Sequence, residues 1–441
     1  MRKFILFIRH ALALIHEDKL FSAIYIAGTA VAIASAMMVA LILHIRISNM
    51  YPEEHRDRTV GIRGNDFEKE GKYIWRGYSP LAVEEVFDQL QCAEIVSAHI
   101  QSGYVFSFTA CAGFGKQEVP VTVKFTDADF WRLYSFRFVD GRPYTDQHLK
   151  NADKQIVITD ALARKVFGTT EHIVGQSLLL NFLSYQIIGI VKDASPLMRD
   201  SSADVYLPYT VSDAGQRQGI REVNYTGPLA VTILLKKGCT VQMLNDELES
   251  YRVKYLSMLK QTTGNEYEWR IRAVPYWART LNFFSEGTTT ADMLSNLSLP
   301  VLLMLLLLLL PAINLSGMVS NRMESRMAEM GIRKAFGAKR RTLLREVIRE
   351  NLVLTLCGGI AGYVLSWLFV YAIRNSKFFL TFFAREYDSV NSVSLQSDMF
   401  FSPLLFLIAF VCCCAINLMA ALLPARKSLR NPIVESLNQK R

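Results

Sequence analysis

The residues best suited to recognition chemistry lie between Arg322 and Ala338. Met323, Met327 and Met330 recur at helical spacing. Thioethers in such a stripe can fill an irregular groove on a partner or lie on a bilayer. Glu329, Arg333 and Lys334 are the charges placed to fix the register of that docking. Gly331 permits close backbone approach. Gly337 suits a helix C-terminal cap, where a left-handed backbone costs glycine little. The blander alternative is a solvated basic face whose charge only orients the chain in a membrane.

The rest of the sequence holds no catalytic constellation. A Gly-x-x-x-x-Gly-Lys-Ser/Thr loop is absent, and Gly115-Lys116 lacks both the upstream glycine and the following hydroxyl. The seven histidines include no pair at metal-ligand spacing. No cofactor and no metal is therefore expected. Glu84-Glu85 reads as a solvated helix face, and Asp127 and Asp129 as turn or helix-capping residues. The net charge of +9 is concentrated: eighteen Lys or Arg fall in the N-terminal arm, the 320–350 segment and the C-terminal tail. That pattern is a topology signal, and without an aromatic-interleaved basic stripe nucleic acid is not expected as a partner.

These residues must be positioned by membrane helices. Four stretches of the 441-residue chain reach the ~20 apolar residues a bilayer requires. They span 20–44, 296–320, 351–373 and 403–424. The first is too long for a signal h-region, although Ala34-Ser35-Ala36 inside it mimics a cleavage site. Residues 1–19 before it carry Phe4, Phe7, Ile8, Ala11, Leu12 and Ile15 at helical spacing beside Arg2, Lys3 and Arg9. They are expected to form an amphipathic interfacial helix in contact with lipid. Nine Lys or Arg between Arg322 and Arg349 mark 321–350 as cytoplasmic by the positive-inside rule. The same rule puts both termini inside, with residues 425–441 as a cytoplasmic tail. Residues 45–295 and the short 374–402 loop then lie outside. Gly358 and Gly362, flanking Gly359, allow close helix packing, and Asn314 and Asn417 suit interhelical hydrogen bonds. No ionisable side chain falls well inside a span, so the four spans make a poor polar conduit.

The outer region reads as mixed α and β. Strands are expected at 60–63, 98–108, 119–125, 155–159, 177–180, 186–191, 205–208, 229–235 and 268–274. Helices are expected at 80–90, capped by Ser79, and at 241–259. The predicted fold class is thus a membrane α-helical protein with four transmembrane helices. A large extracytoplasmic α+β domain is inserted between the first and second, with a β-rich insertion at about 130–215. Of its cysteines, Cys92 and Cys111 are near in sequence in an oxidising compartment. Two readings stand: a Cys92–Cys111 disulfide, or free thiols.

Two sets of motifs resemble one family. Glu329-Met-Gly-Ile-Arg-Lys-Ala-Phe-Gly-Ala338 is similar to the coupling segment of MacB/LolC/FtsX-like ABC transporter permeases. Phe138-Val-Asp-Gly-Arg142, Gln155–Thr159, Ala161–Gly168, Val174-Gly175 and Tyr185–Val191 follow the order of the MacB-like periplasmic core domain. The tail from Leu423 through Leu437 resembles the family's ending. The resemblance implies an inner-membrane permease subunit, working as a dimer with a second copy or paralogue. Two copies of a separate ABC ATPase would drive the coupling segment. The first two spans would extend as a stalk whose motion acts on periplasmic cargo: a lipoprotein, a peptide or a hydrophobic drug. A periplasmic or outer-membrane partner is also compatible. The chain itself is expected to be non-catalytic. The rival readings are an FtsX-like regulator of a cell-wall hydrolase and a membrane-anchored sensor or scaffold without an ATPase.

The orientation is directly testable. In single-cysteine variants, Lys116→Cys should react with an impermeant maleimide in intact spheroplasts and Lys339→Cys should not. The reverse pattern overturns the topology.

Overall fold

The computed structural model describes residues 19–69, 72–100, 108–212, 225–281, 332–373 and 403–428, apart from a few single positions within them, and isolated positions between 298 and 320. It divides into two compact units, with one boundary between His44 and Ile45 and another between Met293 and Leu294.

The outer unit is built on fifteen described strands joined in one sheet. They are β1 (Thr59–Lys69), β2 (Lys72–Trp75), β3 (Gly77–Tyr78), β4 (Ala93–Ile100), β5 (Phe108–Cys111), β6 (Val119–Val121), β7 (Val123–Thr126) and β8 (Phe138–Gly141). β9 (Gln155–Thr159), β10 (Ser177–Leu180), β11 (Leu183–Val191), β12 (Val205–Pro208), β13 (Thr226–Gly227), β14 (Leu229–Leu235) and β15 (Glu268–Pro275) complete it. The main path runs β13-β3-β14-β4-β7-β12-β9-β11-β10-β5-β6. The central strand β9 buries Ile156, Val157 and Ile158 completely. Such a continuous apolar run suits a strand covered on both faces. It pairs in parallel with β11, across helix Asp160–Phe167. Thr159 caps that helix by accepting from Leu162 N, and Gly168 ends it at φ +77°. One large cluster of buried residues extends over most of the sheet, from Val60 to Ala273.

Two pairings set the frame for function. β1, the first strand after the apolar N-terminal helix, is antiparallel to β15, the last strand, with Val60 opposite Pro275 and Ile62 opposite Ala273. β14 pairs along its whole length with β4, from Leu229–Ile100 to Leu235–Ala93. Asp127 ties β4 to the turn after β7. Its carboxylate accepts from Ser97 Oγ at 2.9 Å, from Phe130 N at 2.9 Å and from Ala98 N. Burial pushes this carboxyl up to about 7, against the pull of those donors.

The strands of the 130–215 region are joined to the one sheet, since β12 pairs with both β7 and β9. Some local expectations change. The helix after Ser79 is α-helical only over Pro80–Ala82 and continues as a π-helical turn, Val83–Phe87. Residues 138–141, read only as a motif containing a turn glycine, form β8 against β11. Cys92 and Cys111 are both thiols, and the register keeps them apart. Cys111 lies opposite Leu179, one residue beyond the Ala110–Val119 pair at the start of the β6–β7 run. Cys92 precedes β4, whose far end, His99, pairs with Thr126 where that run finishes. Antiparallel geometry therefore carries the two cysteines to opposite ends of the ladder. At ~3.3 Å per strand residue, this exceeds the ~7 Å Cα limit for a disulfide.

In the membrane unit the described helices are α1 (Lys19–Ile47), whose last turn belongs to the outer unit, then Arg340–Ile373 and Pro403–Ser428. Among the described residues one helix, over Arg340–Phe369, is long and apolar enough to cross a membrane; Ser22–Met38 and Phe406–Ala420 are shorter apolar stretches. The basic segment after Lys339 and the third expected span are therefore one continuous helix. Residues 1–18, most of 296–320 and all of 374–402 lie outside the described residues. Gly358 and Gly362 pack within the chain on α1. A Cβ at Gly358 would sit 2.7 Å from Thr29 Cβ, and one at Gly362 would sit 2.8 Å from the Ala30 carbonyl. Gly359 abuts Phe410. Tyr25 and Thr355 share a buried hydroxyl–hydroxyl bond of 3.0 Å. Asn417 bonds Cys413 of its own helix, 3.6 Å away. Asn314 is outside the described residues.

Replacing Asp127 by alanine strands three buried donors. At ~1–3 kcal/mol for a buried group left without its partner, Asp127→Ala should lower stability by about 3 kcal/mol or more. Urea unfolding of the detergent-purified full chain, followed by tryptophan fluorescence, measures it; a change under ~0.5 kcal/mol refutes the role given to this carboxylate.

Candidate functional site: the coupling segment and the outer junction

The 321–350 segment is described from Ile332 onward, Lys334 excepted. Met323, Met327, Glu329, Met330, Gly331 and Lys334 lie outside the described residues. Arg333 is placed: its guanidinium nitrogen lies 3.1 Å from both oxygens of Glu346, one helix further on. The segment ends where Ala338 N donates to Arg333 O at 2.9 Å and Gly337 takes φ +89°. Phe336 beside that turn is 88% exposed, and Ile332 is half-exposed. Arg340 donates to the carbonyl of Arg426 at 2.9 Å. It so places a cation near the C-terminal end of the last helix, where the backbone dipole favours positive charge.

The second locus was not legible in the sequence. It forms where the chain leaves α1 and enters the sheet. Arg56 Nη1 donates to the carbonyls of Ile45 at 2.6 Å and Ser48 at 2.8 Å. These are among the terminal carbonyls that a helix leaves without internal partners. The same guanidinium pairs with Glu53 at 2.8 Å, both side chains 1% exposed. It also touches Met198 Sδ and lies 4.7 Å from the Tyr276 ring centroid. Glu53 accepts from Ser201 N at 3.1 Å and Ser201 Oγ at 2.6 Å. Burial pushes the Glu53 carboxyl up, but Arg56, Ser201 and Tyr276 together outweigh it and hold the group below its usual range. Nearby, Arg279 is paired with Asp200 and lies 5.8 Å from the same Tyr276 ring.

Three stretches remote in sequence thus meet: the exit of α1 (45–56), the loop after β11 (198–201), and helix Tyr276–Leu281, which follows β15 and precedes the second apolar run. Tyr51 adds a further tie, donating to Lys192 O at 2.9 Å and accepting from Arg137 N at 3.2 Å. The sequence signals were two i,i+3 pairings at the ends of the outer region, Glu53 with Arg56 and Tyr276 with Arg279. Each alone reads as a solvated end. Chemically the junction offers no nucleophile or metal site; among the described residues no group of three His, Cys, Asp or Glu could hold a metal. It is a buried clamp.

The family matches give the class, a membrane permease with a large periplasmic domain. The chain belongs to the MacB/FtsX-like family of ABC transporter permeases: residues 22–251 match the MacB-like periplasmic core domain and residues 301–433 the FtsX-like permease C-terminal region. It is 22% identical over 329 residues to the macrolide export ATP-binding/permease protein MacB of Escherichia coli K12, covering 74% of this chain and 44% of that one. It is also 22% identical over 327 residues, with the same coverage, to the MacB protein of Vibrio parahaemolyticus. The chain spans less than half the length of these relatives. Among solved structures, a domain of a putative permease from Porphyromonas gingivalis matches at TM-score 0.39 and 16% identity, covering 56% of this chain and 99% of that one. The periplasmic region of MacB from Actinobacillus actinomycetemcomitans matches at 0.34 and 12%, covering 50% and 89%.

Breaking a buried ion pair from one side costs ~3–5 kcal/mol, whereas replacing both partners by apolar groups costs far less. Arg56→Met should therefore destabilise by about that amount, and Glu53→Met/Arg56→Met by clearly less. Because the folded-state pKa of Glu53 lies below its unfolded value, its contribution is complete above pH ~4.5 and is lost as pH falls through the folded value. The double variant should lose less stability than the wild type on acidification below that point. Equal acid sensitivity in the two proteins, in the same urea assay, contradicts this assignment.

Proposed function

We propose that this chain is the permease subunit of an ABC complex that converts ATP-driven movement inside the cell into movement of its periplasmic domain. On this reading four helices cross the inner membrane with both termini cytoplasmic. Two copies of a separate ATPase act on the 321–350 segment of a permease dimer, formed with a second copy or a paralogue. The observation that carries the reading is the Arg56 clamp. One guanidinium holds the last carbonyls of α1, and the same side chain packs on Tyr276 at the start of the helix that follows the final strand. Within the outer unit the clamp thus joins the entering segment, 45–56, to the element that follows the last strand through buried contacts. The paired strands β1 and β15 brace both ends of the domain. Cargo is acted on from the periplasmic side; the match to the periplasmic core domain favours extraction or expulsion of a lipoprotein, a peptide or a hydrophobic drug. The chain contributes no phosphate loop, so hydrolysis is assigned to the partner.

The Arg333–Glu346 pair sharpens the test of coupling. Arg333→Glu should reduce permease-stimulated ATP hydrolysis by the cognate ATPase several-fold. The charge-swapped double, Arg333→Glu with Glu346→Arg, restores the pair within the chain but not a contact to the ATPase. It should remain defective. Full stimulation in the double variant would assign Arg333 an internal structural role only, and normal stimulation in the single variant would remove it from coupling altogether.

A further inference from the structure

The three outer cysteines are not equivalent, and the register singles out a pair that sequence proximity concealed. Cys92 immediately precedes β4, and its carbonyl accepts from Lys236 N at 3.0 Å, just beyond the end of β14. The chain then turns back. Cys239 N donates to Lys236 O at 3.1 Å, across a turn in which Gly238 takes φ +95°. This folds Cys239 over the end of the β4–β14 ladder, and its side chain packs on the same buried cluster that contains Cys92. Cys92 is hydrogen-bonded to Lys236, and Cys239 closes the turn that begins at Lys236, so the strand end that carries one cysteine lies beside the turn that carries the other. Cys92 is 3% exposed, and Cys239 is half-buried. Glu247 of helix Val241–Thr263 closes the group, accepting from Gln91 N at 3.1 Å and Cys92 N at 3.4 Å.

We propose that Cys92 and Cys239 are an oxidation site: in the periplasm they form a disulfide that staples the start of β4 to the β14–helix turn, while Cys111 stays a thiol. The proposal rests on the periplasmic placement of this domain. The oxidant is a thiol–disulfide exchange partner, a protein or small-molecule disulfide. Cys239, the more accessible sulfur, attacks it as thiolate and forms a mixed disulfide, releasing one thiol of the oxidant. Cys92 then attacks the Cys239 sulfur and displaces the second thiol, which takes up the proton Cys92 gives up. Two protein thiols are oxidised, and one disulfide is reduced to two thiols. Burial, together with Cys239 and Glu247, pushes the Cys92 thiol up to about 12, which leaves the opening attack to Cys239. The bond would enclose everything from β4 to β14, including the strands of the 130–215 region. It would fix their attachment to the sheet at the point where they enter and leave.

The test uses the full chain, trapped in membranes with acid and N-ethylmaleimide, purified in detergent and mapped by non-reducing peptide mass spectrometry. The expected result is one linked pair, Cys92 with Cys239, and alkylated Cys111. A Cys92–Cys111 or Cys111–Cys239 link overturns the proposal. A second arm separates compartment from geometry. The reduced, purified chain is incubated with oxidised glutathione. It should form the same link, and its thermal midpoint should rise by roughly 5–10 °C, a rise absent in Cys239→Ser. Failure to form the bond in glutathione refutes the geometry. If it forms in glutathione but all three thiols are alkylated in membranes, the geometry stands and the proposed oxidation in the cell is refuted. Whether the domain is periplasmic is then read separately from the labelling of Lys116→Cys.

Discussion

The buried Arg56–Glu53 pair is the contact on which the base of the outer unit depends, tying residues 45–56 to Ser201 and Tyr276. Buried charge pairs are poor sources of net stability, because desolvation of both ions offsets their attraction. Their use here is geometric. A guanidinium can satisfy two helix-terminal carbonyls, a carboxylate and an aromatic face at the same time, and Arg56 meets all four. An apolar residue at that position would leave the carbonyls of Ile45 and Ser48 without this donor. The pair is thus better understood as a fastener at the base of the outer unit than as a contributor to folding free energy.

That fastener works because the sheet brings the ends of the domain together. β1 and β15 are neighbours although they lie at opposite ends of the outer sequence. The residues just before β1 and just after β15 are therefore close whatever happens in the intervening chain. The long run from β4 to β14 can elaborate the distal part of the sheet without altering the base. A domain organised in this way can vary at its far side and keep the same base.

The inner side follows different physics. Gly358 and Gly362 seat α1 against the helix beginning at Arg340, and Gly359 seats the last helix at Phe410. Close backbone approach replaces the hydrophobic driving force that helices lack in lipid. Arg340 and Arg333 then use their charge inside the chain, on Arg426 and Glu346. Basic residues that satisfy the topology rule also organise the segment that bears them, so the docking and orienting readings of this loop are not exclusive.

Much of the architecture was legible locally. The boundaries of β9, β10, β12 and β14 follow from short apolar runs between turn residues, the Ser79 cap from side-chain chemistry acting over three residues, and the Gly337 turn from the backbone freedom of glycine. The sequence alone therefore determined many of the element types and the presence of a large outer domain. Tertiary structure alone decided which distant groups meet. Cys92 is brought beside the turn that carries Cys239, the glycine pair packs on α1, and Arg56 is buried near Ser201, Met198 and Tyr276. None of these has a local signal, since strand order and register, not spacing along the chain, determine the neighbours of a side chain, and burial gives a charged residue its role only once those neighbours are in place.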